Sequence, residues 1–382
     1  MKLDIGRLQL IVKSIFKRII QSSLLSLFSI IIFLLLIEVV IRIFYPQTID
    51  LMEKSNTLKI KLRPNYRSKS SYWRVAINTN SIGLRDREFG EKKQGVFRIL
   101  VVGDSQTFGH GIEAEDTYPK VLERLLAKDI PDKKFEVINA GVETYCTFQE
   151  LQYLKESGFK LKPDLVIIGF YIGNDFGENN AFSVIKFTER KSYNELDLFL
   201  SSKSHAYNFF KNRFYKFLAK YTLMNMKKDN IPKVIKIGGE DIYFPNPMTF
   251  CKKNYTPDMT KAAEITKRKL LEMANSIREH KSKILLVIIP AMHQVYEEEW
   301  HKSSKVYNLN PNGYDISKPN TMLTQFAESE GMPVLDLLPY FLQLAEHKRL
   351  YLWEGHLSKE GDMNAAEEIF KALIANNLIL NN

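Results

Sequence analysis

The first apolar feature of the chain is a run of nineteen residues without a charge, 19–37, followed by Glu38 and three more apolar residues. A helix of that length crosses a bilayer. The run is apolar around the whole helix rather than along one stripe, which argues against a buried core helix. No Ala or Gly, the small residues of a signal-peptide cleavage site, occurs between residues 8 and 46. We therefore expect an uncleaved transmembrane anchor over 19–41.

Positive charges flank this span unevenly. The first eighteen residues contain five Lys or Arg, whereas the matching stretch after the span contains three, Arg42, Lys54 and Lys59. Because cytoplasmic flanks carry an excess of Lys and Arg, residues 1–18 are expected to be cytoplasmic. Everything after the anchor is then periplasmic or extracellular. Glu38 near the outer end of the span could reach the interface or pair with Arg42, a structural role.

Beyond the anchor, residues 42–96 form a polar connector with short strand-like pieces at 75–78 and 83–85, and 97–382 form one domain. In that domain short apolar runs alternate with helical stretches, which is typical of a parallel sheet covered by helices. The runs predict strands at 98–102, 135–138, 165–168, 284–289 and 333–335. Helices are predicted near 118–128, 147–157, 258–280, 319–330 and 362–376. The expected fold is therefore α/β, with about five parallel strands.

A long insertion at about 176–255 interrupts the sheet pattern. It carries a basic, aromatic segment, 204–220, that has the period of a helix. The aromatic residues that share one face of this helix are Phe210, Phe214, Phe217 and Tyr221. The segment could cap the substrate site or lie on the membrane surface. We favour an amphipathic helix packed on its own domain, because any surface helix needs such a stripe.

Composition excludes several classes of protein. Of the 382 residues, 45% are apolar and 26% charged, which rules out disorder and collagen-like repeats. Two cysteines, Cys146 and Cys251, cannot build a disulfide framework or a four-thiolate zinc site. The net charge of +10 is spread along the chain without a block of like charges. We therefore expect no nucleic-acid partner, and at most an attraction to anionic lipid or polysaccharide.

Ligands of open α/β sheets bind beyond the carboxyl ends of the strands, so the residues that follow each strand are the candidates for chemistry. The first predicted strand is followed by Gly103-Asp104-Ser105, which puts a serine at a strand-to-helix turn. Backbone N–H groups there favour an anion, although Ser and Asp are also common helix caps. Thr107 stands where the nucleophile elbow of α/β hydrolases has its second glycine, and no Walker loop is present.

Other strand ends supply groups that would complement this serine. The second strand ends at Gly141, and the third is followed by Gly173-Asn174-Asp175, which brings an amide donor to the same edge. An oxyanion needs two or three converging donors. Late in the chain Glu354 precedes His356 by two residues. A serine, a histidine and a carboxylate can act as nucleophile, base and orienting acid.

These four blocks resemble, in order and position, those of the SGNH, or GDSL-type, hydrolase superfamily, in particular its membrane-anchored bacterial members. The resemblance covers roughly residues 97–376. It implies a flavodoxin-like three-layer sandwich and esterase or acyltransferase chemistry on lipids, glycans or acylated sugars, with no metal or organic cofactor. It also implies that Ser105 is the nucleophile and His356 the base. The implied oxyanion hole consists of the Ser105 N–H, the Gly141 N–H and the Asn174 amide.

The last block departs from the superfamily pattern, in which an aspartate stands three or two residues before the histidine. Those positions here hold Trp353 and Glu354. We expect Glu354 to orient His356. Asp336, at the end of the fifth strand, is the alternative acid, although we prefer to interpret it as the cap of the helix that follows.

The sequence therefore predicts an extracytoplasmic serine esterase or O-acyltransferase, held in the membrane by residues 19–41, that forms an acyl-enzyme with an acyl ester or acylated glycan. His110 and His293 are further candidates for the border of the site. The competing hypothesis is a catalytically silent, membrane-anchored glycan-binding protein that uses the same pocket.

Overall fold

A parallel sheet of five strands forms the centre of the computed structural model. The described residues are 5–47, 49, 51–55, 57–70, 73–177, 179, 195–225, 234–237, 240–243, 248–306 and 309–379. The strands are β1 (Val96–Gly103), β2 (Lys134–Gly141), β3 (Leu165–Tyr171), β4 (Lys283–Ile289) and β5 (Val334–Asp336). Their spatial order is β2-β1-β3-β4-β5, the doubly wound order of flavodoxin-like folds. The predicted α/β fold is confirmed, and each strand overlaps a predicted apolar run.

Helices cover both faces of this sheet. Neighbouring side chains of β1 enter opposite cores, since Leu100 and Val102 pack on one side while Ile99 and Val101 pack on the other. Strands buried on both faces are apolar throughout, which is why they stand out in the sequence. The helices that follow β1 outside the insertion are Ser105–Phe108, Tyr118–Asp129, Thr147–Glu156, Pro257–Glu279, Met292–Val295, Glu297–Val306, Lys318–Ser329, Leu338–Leu344 and Lys359–Ala375.

Local capping chemistry sets the start of two of these helices. Thr256 accepts a hydrogen bond from the Met259 N–H, and Pro257 fills the first helical position, where a missing N–H costs nothing. Ser358 caps the last helix through the Gly361 N–H. Both helices begin within three residues of their predicted starts at 258 and 362.

The N-terminal segment forms one unbroken helix, Ile5–Phe44, that contains the predicted anchor. Within it, Lys13–Phe44 is long and apolar enough to cross a membrane, and its most apolar window of 18 residues has a mean hydropathy of 3.0. Only 6% of its most apolar window is buried against the rest of the chain. The helix is therefore a candidate membrane span, and the side of the membrane on which each end lies stays a prediction.

The connector packs on the α/β domain. Leu62, Ile77 and Leu84 join the core on one face of the sheet. The piece predicted at 83–85 is not a strand, because Gly83 takes a φ of 81° in a turn. The connector strands form two antiparallel pairs, Met52–Ser55 with Lys59–Leu62 and Arg67–Lys69 with Ala76–Asn78.

Part of the insertion lies outside the described residues. Its described elements are the helices Glu195–Lys203 and His205–Asn225 and the antiparallel strands Val234–Ile237 and Glu240–Tyr243. The segment 204–220 is helical, as predicted. The prediction that its aromatic stripe packs on its own domain is wrong, because Phe210, Phe214 and Phe217 are 53%, 57% and 63% exposed. The side chain of Tyr221 lies outside the described ones.

A buried cation fastens the connector to the loop that follows the helix Ser105–Phe108. Arg85 is 2% exposed. Its guanidinium donates hydrogen bonds of 2.7 to 3.0 Å to the carbonyl oxygens of Ala76, Phe108, Gly109 and Ile112. Phe108 ends that helix and Gly109 and Ile112 lie in the loop, so the planar guanidinium fixes the shape of the chain over 108–112.

We expect Arg85→Met to lower the free energy of unfolding by on the order of 3 kcal/mol, because buried carbonyl groups lose their donor. Arg85→Lys should restore only part of this, since an ammonium group lacks the fork of donors. Chemical denaturation of the full chain in detergent measures both changes. Arg268→Met, on an exposed helix surface, is the control. Equal free energies of unfolding for Arg85→Met and the wild type would contradict the stabilising role of the Arg85 hydrogen bonds.

Candidate active site

The candidate nucleophile lies at the carboxyl end of β1, which pairs with β2 and β3 in the sheet. Ser105 is half-buried and begins a four-residue helix, Ser105–Phe108. Asp104 is fully buried and caps this helix by accepting the Gln106 N–H at 2.9 Å. Burial raises the pKa of Asp104, although the Gln106 hydrogen bond, His356 and the Asn174 side chain oppose the shift. Asp104 therefore shapes the turn, and Ser105 is the residue that the turn presents.

Two glycines allow the strands to approach this helix closely. A Cβ on Gly103 would lie 2.0 Å from Thr107 Oγ1, and one on Gly141 would lie 2.3 Å from the Phe108 backbone nitrogen. No side chain fits at either position. Thr107 is itself buried and shares a hydrogen bond of 2.8 Å with the Tyr118 hydroxyl. The residue that departs from the α/β-hydrolase elbow thus has a packing role beneath the nucleophile.

His356 contacts Ser105 although it lies near the end of the domain sequence. Its Nε2 lies 2.9 Å from Ser105 Oγ, although 251 residues separate the two in sequence. Gln106 holds the two segments together, because its Oε1 accepts the Leu357 N–H and its Nε2 donates to the Gly355 carbonyl. The side chain next to the candidate nucleophile therefore positions the loop that carries the candidate base.

Glu354 contacts the other nitrogen of the same imidazole. His356 Nδ1 lies 3.2 Å from Glu354 Oε1. Gly355 between them adopts a φ of 100°, which few other residues tolerate, and this turns the chain so that the two side chains meet. Both side chains are about one-fifth exposed. Ser105, His356 and Glu354 thus form a hydrogen-bonded series that can act as nucleophile, base and orienting acid.

The alternative acid, Asp336, has a different role. Its Oδ1 accepts the Leu338 N–H at 3.0 Å and the Asn320 side-chain amide at 2.7 Å. Burial raises the pKa of Asp336, and these two hydrogen bonds oppose the shift. The carboxyl group therefore caps the helix Leu338–Leu344, which agrees with the interpretation preferred from the sequence.

The three predicted oxyanion donors differ in how well they fit that role. The Ser105 N–H lies in the first turn of its helix, where no intrahelical acceptor exists. Asn174 follows β3, and its side chain interacts with Asp104 beneath the serine. The Gly141 N–H, by contrast, donates to Asn139 Oδ1 at 2.9 Å and is not free to bind an oxyanion. In this structure Gly141 serves close packing, and the donor role predicted for it is not supported.

His110 lies beside the candidate base. The rings of His110 and His356 have centroids 4.5 Å apart. The backbone N–H of His110 donates to the Ser105 carbonyl at 3.1 Å. Burial lowers the pKa of His110, but the hydrogen bond and charge of Glu143 outweigh it, so the pKa is raised overall. His110 thus places a second imidazole beside His356. His293 is buried in the short helix that follows β4.

Potential metal-ligand atoms of His110, Glu354 and His356 lie within 4.8 Å of one another. In the structure these side chains hydrogen-bond with Glu143, with each other and with Ser105. A cation bound between them would compete with the bond between Ser105 and His356. The hydrogen bonds from Ser105 through His356 to Glu354 have a geometry in which a proton can be transferred.

The structure is similar to several solved structures at low sequence identity. TesA is 13% identical, with a TM-score of 0.38 over 72% of this chain and 97% of that chain. The acetyl xylan esterase AlAXEase is 13% identical, with a TM-score of 0.41 over 72% and 100%. Axe2, an acetylxylan esterase from Geobacillus stearothermophilus, is 13% identical, with a TM-score of 0.39 over 72% and 94%. Similarity at this level assigns no activity to the present chain.

No protein-family model matches the chain, and no curated protein is significantly similar to it.

If Glu354 orients His356, Glu354→Gln should slow the reaction of Ser105 with a fluorophosphonate about a hundredfold, less than the ~10⁴-fold loss of a tightly coupled triad. Glu354→Asp should recover part of the rate. The measurement is the time course of covalent labelling, followed by mass spectrometry. Asp336→Asn is the matched control and should leave the labelling rate per folded molecule unchanged. Slow labelling of Asp336→Asn together with an unchanged labelling rate for Glu354→Gln would make Asp336 the orienting acid.

Proposed function

We propose that the protein is a serine esterase or O-acyltransferase of the SGNH type, anchored in a membrane with its α/β domain outside the cytoplasm. The observation that carries this proposal is the series of hydrogen bonds from Ser105 through His356 to Glu354 at the carboxyl edge of the sheet. The helix Lys13–Phe44 and the positive charges before it support the anchor and its orientation.

The proposed reaction begins when His356 Nε2 takes the proton of Ser105 as Oγ attacks an ester carbonyl. The Ser105 N–H and the Asn174 amide hold the oxyanion of the tetrahedral intermediate. His356 then gives its proton to the leaving alkoxide, which leaves an acyl group on Ser105. His356 then deprotonates water or a sugar hydroxyl, whose oxygen attacks this acyl group, and returns the proton to Ser105 Oγ as the bond between Oγ and the acyl carbon breaks. Glu354 keeps the imidazole oriented and stabilises its cationic form.

The substrate that we favour is an acylated glycan. Trp353, directly before Glu354 in the loop that carries His356, is 67% exposed. An exposed indole offers a rigid apolar surface with a polar edge, on which the face of a sugar ring can pack. A small ester would not need this surface.

Ser105→Ala should abolish both ester cleavage and fluorophosphonate labelling, because the nucleophilic oxygen is gone. Unfolding temperature should change little, since a half-buried hydroxyl at this turn contributes little to the core. Activity assays on 4-nitrophenyl acetate and calorimetry measure the two effects. Full turnover by Ser105→Ala would refute the nucleophile. Glycan binding by a wild-type protein that resists labelling would favour the silent glycan-binding hypothesis.

Trp353→Ala should raise KM for an O-acetylated oligosaccharide by about tenfold, which corresponds to ~1.4 kcal/mol of lost binding. Turnover of 4-nitrophenyl acetate should not change, because that ester is too small to use the indole. Tyr340→Ala, which removes another exposed aromatic side chain, is the control for nonspecific effects. Equal KM values for Trp353→Ala and the wild type on the oligosaccharide would contradict a glycan-stacking role.

A further inference from the structure

The anchor helix caps a helix of the insertion. The carboxylate of Glu38 accepts hydrogen bonds of 2.7 to 3.0 Å from Ser204 Oγ and from the N–H groups of His205 and Ala206. These groups begin the helix His205–Asn225, and the unpaired donors and dipole of a helix N-terminus favour a carboxylate. The sequence-based expectation that Glu38 pairs with Arg42 also holds, at 2.9 Å.

Three further contacts surround this cap. Arg42 donates to the Lys203 carbonyl at 3.1 Å, and the Gln47 N–H donates to His205 Nδ1 at 2.7 Å. The ring centroids of Tyr45 and Phe209 lie 5.6 Å apart. The junction therefore joins residues 38–47 to 203–209 through hydrogen bonds, several of them to the charged side chains of Glu38 and Arg42, and through one aromatic contact.

This junction sets the depth of the insertion helices relative to a bilayer. The nineteen uncharged residues 19–37 make a helix about 28 Å long, close to the ~30 Å thickness of a hydrocarbon core. Glu38, the first charge after them, then lies at the outer boundary of that core. Because Glu38 caps the helix His205–Asn225, the first turn of this helix lies at the same level.

Large apolar side chains are exposed on both insertion helices near this level. Phe199 and Phe210 are 61% and 53% exposed. Leu196, Phe214 and Phe217 are 58%, 57% and 63% exposed, and residues 210, 214 and 217 share one helical face. We call these five residues, four phenylalanines and Leu196 on two helices, the aromatic face. Surfaces that face only water rarely collect so many large apolar side chains.

We propose that the aromatic face inserts into the headgroup region of the bilayer that the anchor crosses. Amphipathic helices with aromatic and basic residues bind there. Arg213 lies on the same side, with its guanidinium carbon 3.4 Å from the centroid of the Phe209 ring, where it can reach lipid phosphates. The proposal rests on the proposed membrane anchor.

The depth of labelled cysteines in vesicles tests this proposal. Native Cys146 and Cys251 are buried, so an introduced exposed cysteine reacts selectively. Full-length Phe210→Cys, labelled with a nitrobenzoxadiazole fluorophore, is reconstituted into phosphatidylcholine and phosphatidylglycerol vesicles that contain a shallow nitroxide lipid. We expect at least about threefold stronger quenching than for Asn212→Cys, which is exposed on the opposite side of the helix. Ile31→Cys, within the anchor, reports insertion of the anchor itself with a deep nitroxide lipid.

The outcomes separate this proposal from the proposed anchor. Quenching at Ile31→Cys without quenching at Phe210→Cys would overturn the membrane contact of the aromatic face and leave the anchor intact. Equal quenching at Phe210→Cys and Asn212→Cys would also overturn it. A lack of quenching at Ile31→Cys would refute the anchor and the proposal together. Glu38→Ala should weaken quenching at Phe210→Cys while leaving that at Ile31→Cys unchanged, because it removes the helix cap and not the span.

Discussion

The hydrogen bond of 2.9 Å between His356 Nε2 and Ser105 Oγ brings together two turns that are far apart in the sequence. Much of the local structure serves that contact. Gly103 and Gly141 let the strand ends approach the helix that begins at Ser105, and Gln106 clamps the loop that carries His356. Hydrogen bonds on both sides of a site fix the geometry that proton transfer needs. A parallel sheet makes this possible, because it brings the carboxyl ends of its strands to one edge.

The electrostatics of the site follow from the same packing. Asp104 is fully buried next to Ser105 and burial raises its pKa, while Glu354 is partly exposed and contacts His356 Nδ1. The two carboxyl groups therefore have separate tasks, one in the turn and one at the imidazole. His110, hydrogen-bonded to Glu143, is a second imidazole beside His356 that the four-block resemblance did not include. Its position depends on a loop that Arg85 holds from the connector.

The strands and the candidate site residues could be predicted because their signals are local. Strands buried on both faces are apolar throughout, and Gly355 provides the chain reversal that brings Glu354 to His356. The competition of Asn139 for the Gly141 N–H could not be predicted, since it depends on a side-chain conformation. The exposure of Phe210 was also missed, because periodicity identifies the face of a helix and not what covers it. The role of Arg85 needed knowledge of which carbonyl groups surround it.

The central claim is that Ser105 carries the acyl group during turnover. It is tested by the mass of the Ser105 peptide after the full-length protein is mixed with an activated acetyl ester and quenched in acid within one turnover. We expect a gain equal to one acetyl group on that peptide in the wild type, and no gain in His356→Ala, because the serine then lacks its base. Turnover of the ester with an unmodified Ser105, or with the acetyl group on another residue, would contradict the account.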